Sequence, residues 1–269
     1  MEKKDIKVVF ADIDETLFSH KSNTVPQSAV NAIKEMQSKG IKFMLCSGRN
    51  SYLIRKSGIY NYCAPEGIVT MNGAQAIIDG ESIFLHPIDS DVVDALIKFA
   101  KRLKFGLTLI EEKEGHINMI DERVISAHEK YGTRFPQPRT FPDHYDKVIY
   151  QAIAYCDSFD ESLFLPHLKN CKTARWDEFA VYIMPIDCDK ARGAEAVMKH
   201  LGLTMNNALC IGDDNNDIEM VSKAGIGVAM GNAIPKLKEV ADYVTDSIDD
   251  DGFAKAMLHF GLVDKIIKD

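Results

Sequence analysis

The chain lacks three things that would have placed it quickly: paired cysteines, a long apolar run, and a surplus of positive charge. Its six cysteines (Cys46, Cys63, Cys156, Cys171, Cys188 and Cys210) stand apart with no CxxC pair, mostly inside apolar runs. They read as reduced, buried thiols, which excludes a disulfide framework and makes a cytoplasmic protein the expectation. No apolar run approaches the roughly 18 residues that read as a membrane span, so no membrane partner is expected. The apolar stretch Ile6–Ala11 near the N-terminus is too short for a signal peptide, and no small-residue cleavage site follows it. With 32 Lys and Arg against 40 Asp and Glu, the net charge is −8, which argues against nucleic acid as a partner. Internal repeats and Gly/Ser-rich linkers are also missing. What remains is ordinary globular composition, 46% hydrophobic and 27% charged, over 269 residues. That length allows one large domain or two of moderate size.

Apolar runs and helical periodicity alternate at both ends of the chain. Ile6–Ala11 and Ile41–Cys46 read as buried strands, and Gln27–Lys39 between them as a helix with Val30, Ile33 and Met36 on one face. Pro26 suits the start of that helix and Gly40 its left-handed end. Strand, helix and strand in this order imply a parallel sheet. A short strand is expected at Ile68–Met71, followed by an Asn72-Gly73 turn. The alternation returns with a helix at Lys190–Leu201, a strand at Leu209–Ile211 and a helix at Asn215–Lys223. Further elements are expected at Gly227–Met230, Ile234–Val240 and Tyr243–Thr245, and a last helix from Asp249 to Phe260 opens with acidic residues. The middle differs. It offers a helix at Asp91–Leu103 and longer, more alternating strands at Leu107–Glu111, His116–Ile120, Val148–Cys156 and Phe179–Met184, with Pro136, Pro138 and Pro142 in a loop between them. The expected fold is α/β: a Rossmann-like parallel-sheet core made of residues 1–81 and 187–269, with an inserted α+β cap at 82–186.

Ligands of open parallel sheets bind beyond the carboxyl ends of the strands. The first strand is followed by Asp12-Ile13-Asp14-Glu15-Thr16, the second by Ser47-Gly48-Arg49, and the strand at 209–211 by Gly212-Asp213-Asp214-Asn215-Asn216-Asp217. Alternation along an extended segment places Asp12 and Asp14 on one side. Like charges that close would repel an anionic ligand unless a hard divalent cation sat between them, and Asp213 supplies another carboxylate from a second strand end. Taken singly, each group has a plainer reading. Asp12 and Asp14 could cap a turn, Asp213–Asp217 could cap the next helix, Ser47-Gly48 could be an ordinary loop, and Lys190 a solvated surface lysine. Together at matching strand ends they describe a phosphate and metal site.

DxDxT at Asp12–Thr16, Ser47, Lys190 and GDxxND at Gly212–Asp217 resemble the four motifs of the haloacid-dehalogenase superfamily. Their order, their spacing and the insertion between the second and third resemble its Cof-type phosphatases with a class IIB cap. The resemblance spans the whole chain and implies a two-step phosphoryl transfer. Asp12 would attack phosphorus, and Asp14 would protonate the leaving oxygen and then activate water. Mg2+ would be held by the Asp12 carboxylate, the Asp14 backbone carbonyl and Asp213, supported by Asp217 and Asn216. Ser47, Gly48, Lys190 and Asn216 would bind the phosphoryl oxygens, and Thr16 would steady the first loop. The implied partner is a small-molecule phosphomonoester, with sugar phosphates leading. A phosphomutase of the same fold and a metabolite-binding regulator are the alternatives, and oligomeric state is left open. Three positions depart from the family pattern: Glu15 and Ala191 where glycine is frequent, and Ser47 where threonine is commoner.

Other residues carry weaker readings. Arg49 could touch substrate or form an ion pair within the core, and Asn72-Gly73 could approach substrate or simply turn the chain. His86, His116, His128 and His144 lie in or beside the expected cap without HExxH-like spacing, and read as structural or exposed. Trp176 reads as a packing residue.

Overall fold

The computed structural model describes residues 5–130 and 135–268. The chain divides into two compact units, one running to Phe84 and resuming at Asp189, the other Leu85–Cys188. The first unit opens with β1 (Val8–Asp12), α1 (Gln27–Ser38), β2 (Lys42–Cys46), α2 (Ser51–Lys56), β3 (Gly67–Thr70), β4 (Gln75–Ile78) and β5 (Glu81–Leu85). The second holds α3 (Ser90–Leu103), β6 (Gly106–Ile110), β7 (Gly115–Ile117), α4 (Glu122–Lys130), β8 (Gln137–Pro138), β9 (Gln151–Tyr155), α5 (Ser158–Phe164), β10 (Cys171–Asp177) and β11 (Ala180–Pro185). The first resumes with α6 (Lys190–His200), β12 (Ala208–Gly212), α7 (Ile218–Lys223), β13 (Ile226–Ala229), α8 (Pro235–Val240), β14 (Tyr243–Val244) and α9 (Gly252–His259).

The larger sheet runs β14-β13-β12-β1-β2-β3-β4-β5, parallel from β14 to β3, with β4 turned antiparallel to β3. Its central strands are buried along their whole length, as in Val8–Asp12 and Ala208–Gly212. That is why they read as continuous apolar runs: helices cover both faces of such a sheet. From β1 the chain winds outward through β2 and β3, and β12 lies on its other side. The β1/β12 seam is therefore the point where strand order reverses and where doubly wound sheets bind ligands. On α1, Val30, Ile33 and Met36 are buried as the spacing predicts, and Gly40 ends the helix at φ +80°.

The inserted unit is a six-stranded sheet in the order β10-β11-β9-β6-β7-β8, antiparallel except for the β7–β8 pair. Val92, Leu96 and Ala100 of α3 share one apolar core with Leu107, Leu109, Ala152, Ala154, Val181 and Ile183. The proline-bearing β8 sits at the sheet edge, where a missing N–H costs no ladder bond. No helix among the described residues is long and apolar enough to cross a membrane.

Several elements differ from the sequence expectation. The strand expected at His116–Ile120 stops at Ile117 because Asn118 turns its side chain back onto the backbone of Leu107 and Phe105. The last helix begins at Gly252, not Asp249. Asp249 and Asp250 belong to a separate short turn, and Asp251 adopts φ 61° while its carboxylate takes the Ser28 hydroxyl and the Lys268 ammonium. The acidic run therefore ties distant segments together and does not open the helix. The residues between Asn215 and Asp217 form a 3-10 turn before α7.

Candidate active site

β1 ends at Asp12, β12 at Gly212 and β2 at Cys46, so three neighbouring strand ends deliver their loops to one edge. Asp12 is buried, and its Oδ1 accepts a hydrogen bond from Lys190 Nζ at 2.6 Å. The same ammonium donates to Asp217 Oδ1 at 2.6 Å. Lys190 itself is 0% exposed, so this is a lysine fully withdrawn from water and held between two carboxylates. Asp189 places it: its side chain caps α6 by accepting from Arg192 N at 2.8 Å, leaving Lys190 as the first helical residue.

Asp217 spends both oxygens. Oδ1 takes Lys190, and Oδ2 accepts the backbone N–H groups of Asp213 at 3.0 Å and Asp214 at 3.1 Å. Gly212 makes room for it, since a Cβ there would lie 2.3 Å from Asp217 Cγ. Thr16 donates its hydroxyl to Asp213 Oδ1 at 2.6 Å, joining the loop after β1 to the loop after β12. Ligand oxygens of Asp12, Asp213 and Asp217 all lie within 4.8 Å of one another.

Three clustered carboxylates facing one lysine leave negative charge unbalanced. Burial, working against Lys190 and reinforced by Asp217 and Asp14, pushes Asp12 up to about 7. Burial and then the charges of Asp12 and Asp217 push Asp213 up to about 9. Carboxyls raised by burial and by one another's charge are the donor set that a hard divalent cation would relieve, with all-oxygen ligands from two strand ends. Mg2+ fits these residues.

Asp14 lies beside these carboxylates and is paired with other side chains. Its Oδ1 takes Arg49 Nη2 at 2.5 Å and the His20 ring at 2.8 Å. Burial alone would raise its carboxyl, but the His20 hydrogen bond and the Arg49 charge hold it below the ordinary range. The strand ends at Asp12, so the alternation expected to align the two carboxylates stops there. Asp14 remains near enough for its charge to act on Asp12. Arg49 thus makes an ion pair within this unit. His20 had no signal in the sequence, since nothing in its spacing from Asp14 marks a partner. Glu15 sits at φ 57°, and its side chain curls back to accept from His20 N at 3.1 Å.

On the loop after β2, Ser47 is buried and its Oγ accepts from Arg49 N at 3.1 Å, which leaves its own O–H to donate. Gly48 lies against Asn72, where a Cβ would come 3.1 Å from Oδ1. Asn72 is buried at φ 52° and accepts from Asn216 Nδ2 at 3.0 Å, so the Asn72-Gly73 turn adjoins the loop after β12. Gly73 is required twice: its φ is +93°, and a Cβ would fall 1.8 Å from the Asp189 carbonyl oxygen. Gly193 packs α6 equally closely, with Val69 Cγ1 2.3 Å from where a Cβ would sit. A glycine two residues beyond Ala191 therefore serves the close packing of this helix.

The haloacid dehalogenase-like hydrolase family matches residues 9–257. The Bacillus subtilis protein YkrA is 29% identical over 265 residues, covering 96% of this chain and 99% of its own. A 5-amino-6-(5-phospho-D-ribitylamino)uracil phosphatase of the same organism, YcsE, is 28% identical, covering 97% and 98%. Among solved structures, BT4131, described as a HAD subclass IIB sugar phosphatase, superposes with a TM-score of 0.85 at 30% identity, covering 96% of this chain and 100% of that one. The chain belongs to the haloacid dehalogenase-like hydrolases and is a phosphatase of that superfamily, with an architecture consistent with its subclass IIB.

Proposed function

We propose that the chain is a Mg2+-dependent phosphatase that hydrolyses a small phosphorylated metabolite, with sugar phosphates as the leading class, through attack by Asp12 on phosphorus. The observation that carries this reading is the buried Asp12–Lys190–Asp217 bridge beside Asp213, at the point where strand order reverses. The subclass IIB sugar phosphatase among its structural relatives supports the substrate class.

Asp12 and Asp213 would hold Mg2+ with the Asp14 backbone carbonyl, and Asp217 would keep the loop in place. When bound, the ion neutralises the carboxylates and the phosphoryl charge, which is most of what phosphoryl transfer asks of a protein. Lys190 keeps Asp12 oriented by one oxygen, and an ammonium with three donors still has one N–H for a phosphoryl oxygen. The Ser47 hydroxyl and the Gly48 backbone N–H offer further donors. Attack by Asp12 forms an O–P bond as the ester O–P bond breaks, and Asp14 gives its proton to the departing oxygen. Asp14 then takes a proton from the water that frees phosphate and restores Asp12. Arg49 and His20 hold Asp14 ionised, the form needed in this second step, so delivery of the proton in the first step requires that pair to yield.

Incubating the chain with a panel of sugar phosphates, nucleotides and pyridoxal phosphate, and identifying every product, tests this reading. Inorganic phosphate with the dephosphorylated alcohol is expected. An isomeric sugar phosphate would make the enzyme a phosphomutase, and no turnover on any substrate would make it a binding protein.

A further inference from the structure

The inserted unit carries a cluster of ligand-type side chains of its own. The hairpin of β6 and β7 turns through Glu111–Glu114, closed by a backbone bond from Glu111 N to Glu114 O at 2.9 Å. His116 follows on β7, paired with Leu109. Its residue is 7% exposed, and its Nδ1 has no hydrogen-bond partner. A buried imidazole nitrogen without a partner is uncommon in folded proteins and points to a missing one. Glu111 Oε1 lies 3.8 Å from that Nδ1, and Glu114 Oε2 lies 3.9 Å from Nε2. These gaps are too long for hydrogen bonds. An ion binds one ring nitrogen, here the unpartnered Nδ1, and two bonds of about 2.0–2.2 Å at the tetrahedral angle set nitrogen and oxygen about 3.4 Å apart, so a small closing movement of the carboxylates would seat one. One ligand atom from each of the three residues lies within 4.8 Å of the other two.

We propose that Glu111, Glu114 and His116 form a binding site for a divalent transition-metal ion of the Zn2+ class, which clasps the tip of this hairpin. An imidazole with two carboxylates suits a borderline ion better than Mg2+, which takes oxygen donors and keeps its waters. The three ligands fall within six residues of one hairpin, so the site needs no other segment to assemble. The Tyr145 hydroxyl donates to Glu111 Oε1 at 3.2 Å and orients that carboxylate, as outer-sphere partners of metal ligands do. Arg139 Nη1, 3.5 Å from the same oxygen, is the rival cation that an ion must displace or share with. Three protein ligands leave at least one coordination position open to water.

Calorimetric titration of the full chain with Zn2+ tests the site. The chain carrying Asp213→Asn is used, so that the acidic cluster of the other unit is broken. Zn2+ is expected to bind at the hairpin. Adding Glu114→Gln, at an exposed position that leaves the fold alone, should weaken that binding by about tenfold or more, and adding His116→Gln should remove it. Absence of Zn2+ binding in the Asp213→Asn chain, or equal affinity with and without Glu114→Gln, would overturn the proposal.

Discussion

At the scale of single residues, buried charge dominates the candidate site. Lys190 sits with no exposed surface between Asp12 and Asp217. Breaking a buried ion pair by removing one partner is costly because the remaining charge has no solvent to turn to. Lys190→Met should therefore lose about 3 kcal/mol or more of stability in Mg2+-free urea unfolding, and Mg2+ should restore part of the loss. Glu15 is the opposite case. At φ 57° a side chain is strained, and Glu15→Gly is expected to gain about 0.5–1 kcal/mol by relieving a left-handed backbone, even after the entropy that glycine adds to the unfolded chain. A loss on urea unfolding would show that the bond from His20 N to Glu15 outweighs the strain. Residues of this kind were unevenly legible. Asp12, Lys190 and Asp213 stand in segments that resemble family motifs, and strand-end placement by itself marks only the two aspartates. His20 and Glu111-x-x-Glu114-x-His116 carry no such mark, because their significance arises only when a loop or a hairpin folds back on itself.

At the scale of elements, close approaches set where the side chains of the candidate site lie. Gly73 and Gly40 both have left-handed φ values, but a Cβ on Gly40 would meet nothing, whereas one on Gly73 would strike the Asp189 carbonyl oxygen that starts α6. Gly40→Ala should cost about 1 kcal/mol and leave phosphate release unchanged. Gly73→Ala should cost about 2 kcal/mol or more and also lower phosphate release, by shifting the helix start that carries Lys190. Equal activity in the two variants would show that the junction between the turn and α6 does not position the lysine. The central strands and longer helices of the larger unit were legible because their apolar runs and stripes are bounded by turn residues. α2, β4, β5, α4, β8, α5 and β10 were not, because they are short or partly exposed; on α4 the buried Val124, Ala127 and His128 keep helical spacing, but over only nine residues.

At the scale of the whole molecule, the net charge of −8 is concentrated where it matters. Asp12 and Asp213 have carboxyls raised above their ordinary 3.8 by burial and by the charges of neighbouring carboxylates, so these two groups bind more protons in the metal-free folded chain than in the unfolded one. Their contribution to stability is fullest below pH ~4 and declines as pH rises through about 7 and then about 9, as the two groups ionise in turn. Thermal unfolding at pH 6 and pH 9 should show the metal-free chain melting lower at pH 9, with Mg2+ raising the midpoint more at pH 9 than at pH 6. A midpoint that rises with pH in the absence of metal would contradict this charge balance. In the proposed function the same imbalance would make a divalent cation the condition for holding phosphate. The most direct measurement is release of inorganic phosphate from a turned-over sugar phosphate by the wild-type chain and by Asp12→Asn, each with Mg2+ and with a chelator. Release by the wild type with Mg2+ alone is predicted, with loss of about 10^3-fold or more on chelation and in Asp12→Asn. Release that survives chelation, or that survives the loss of the Asp12 carboxylate, would contradict it.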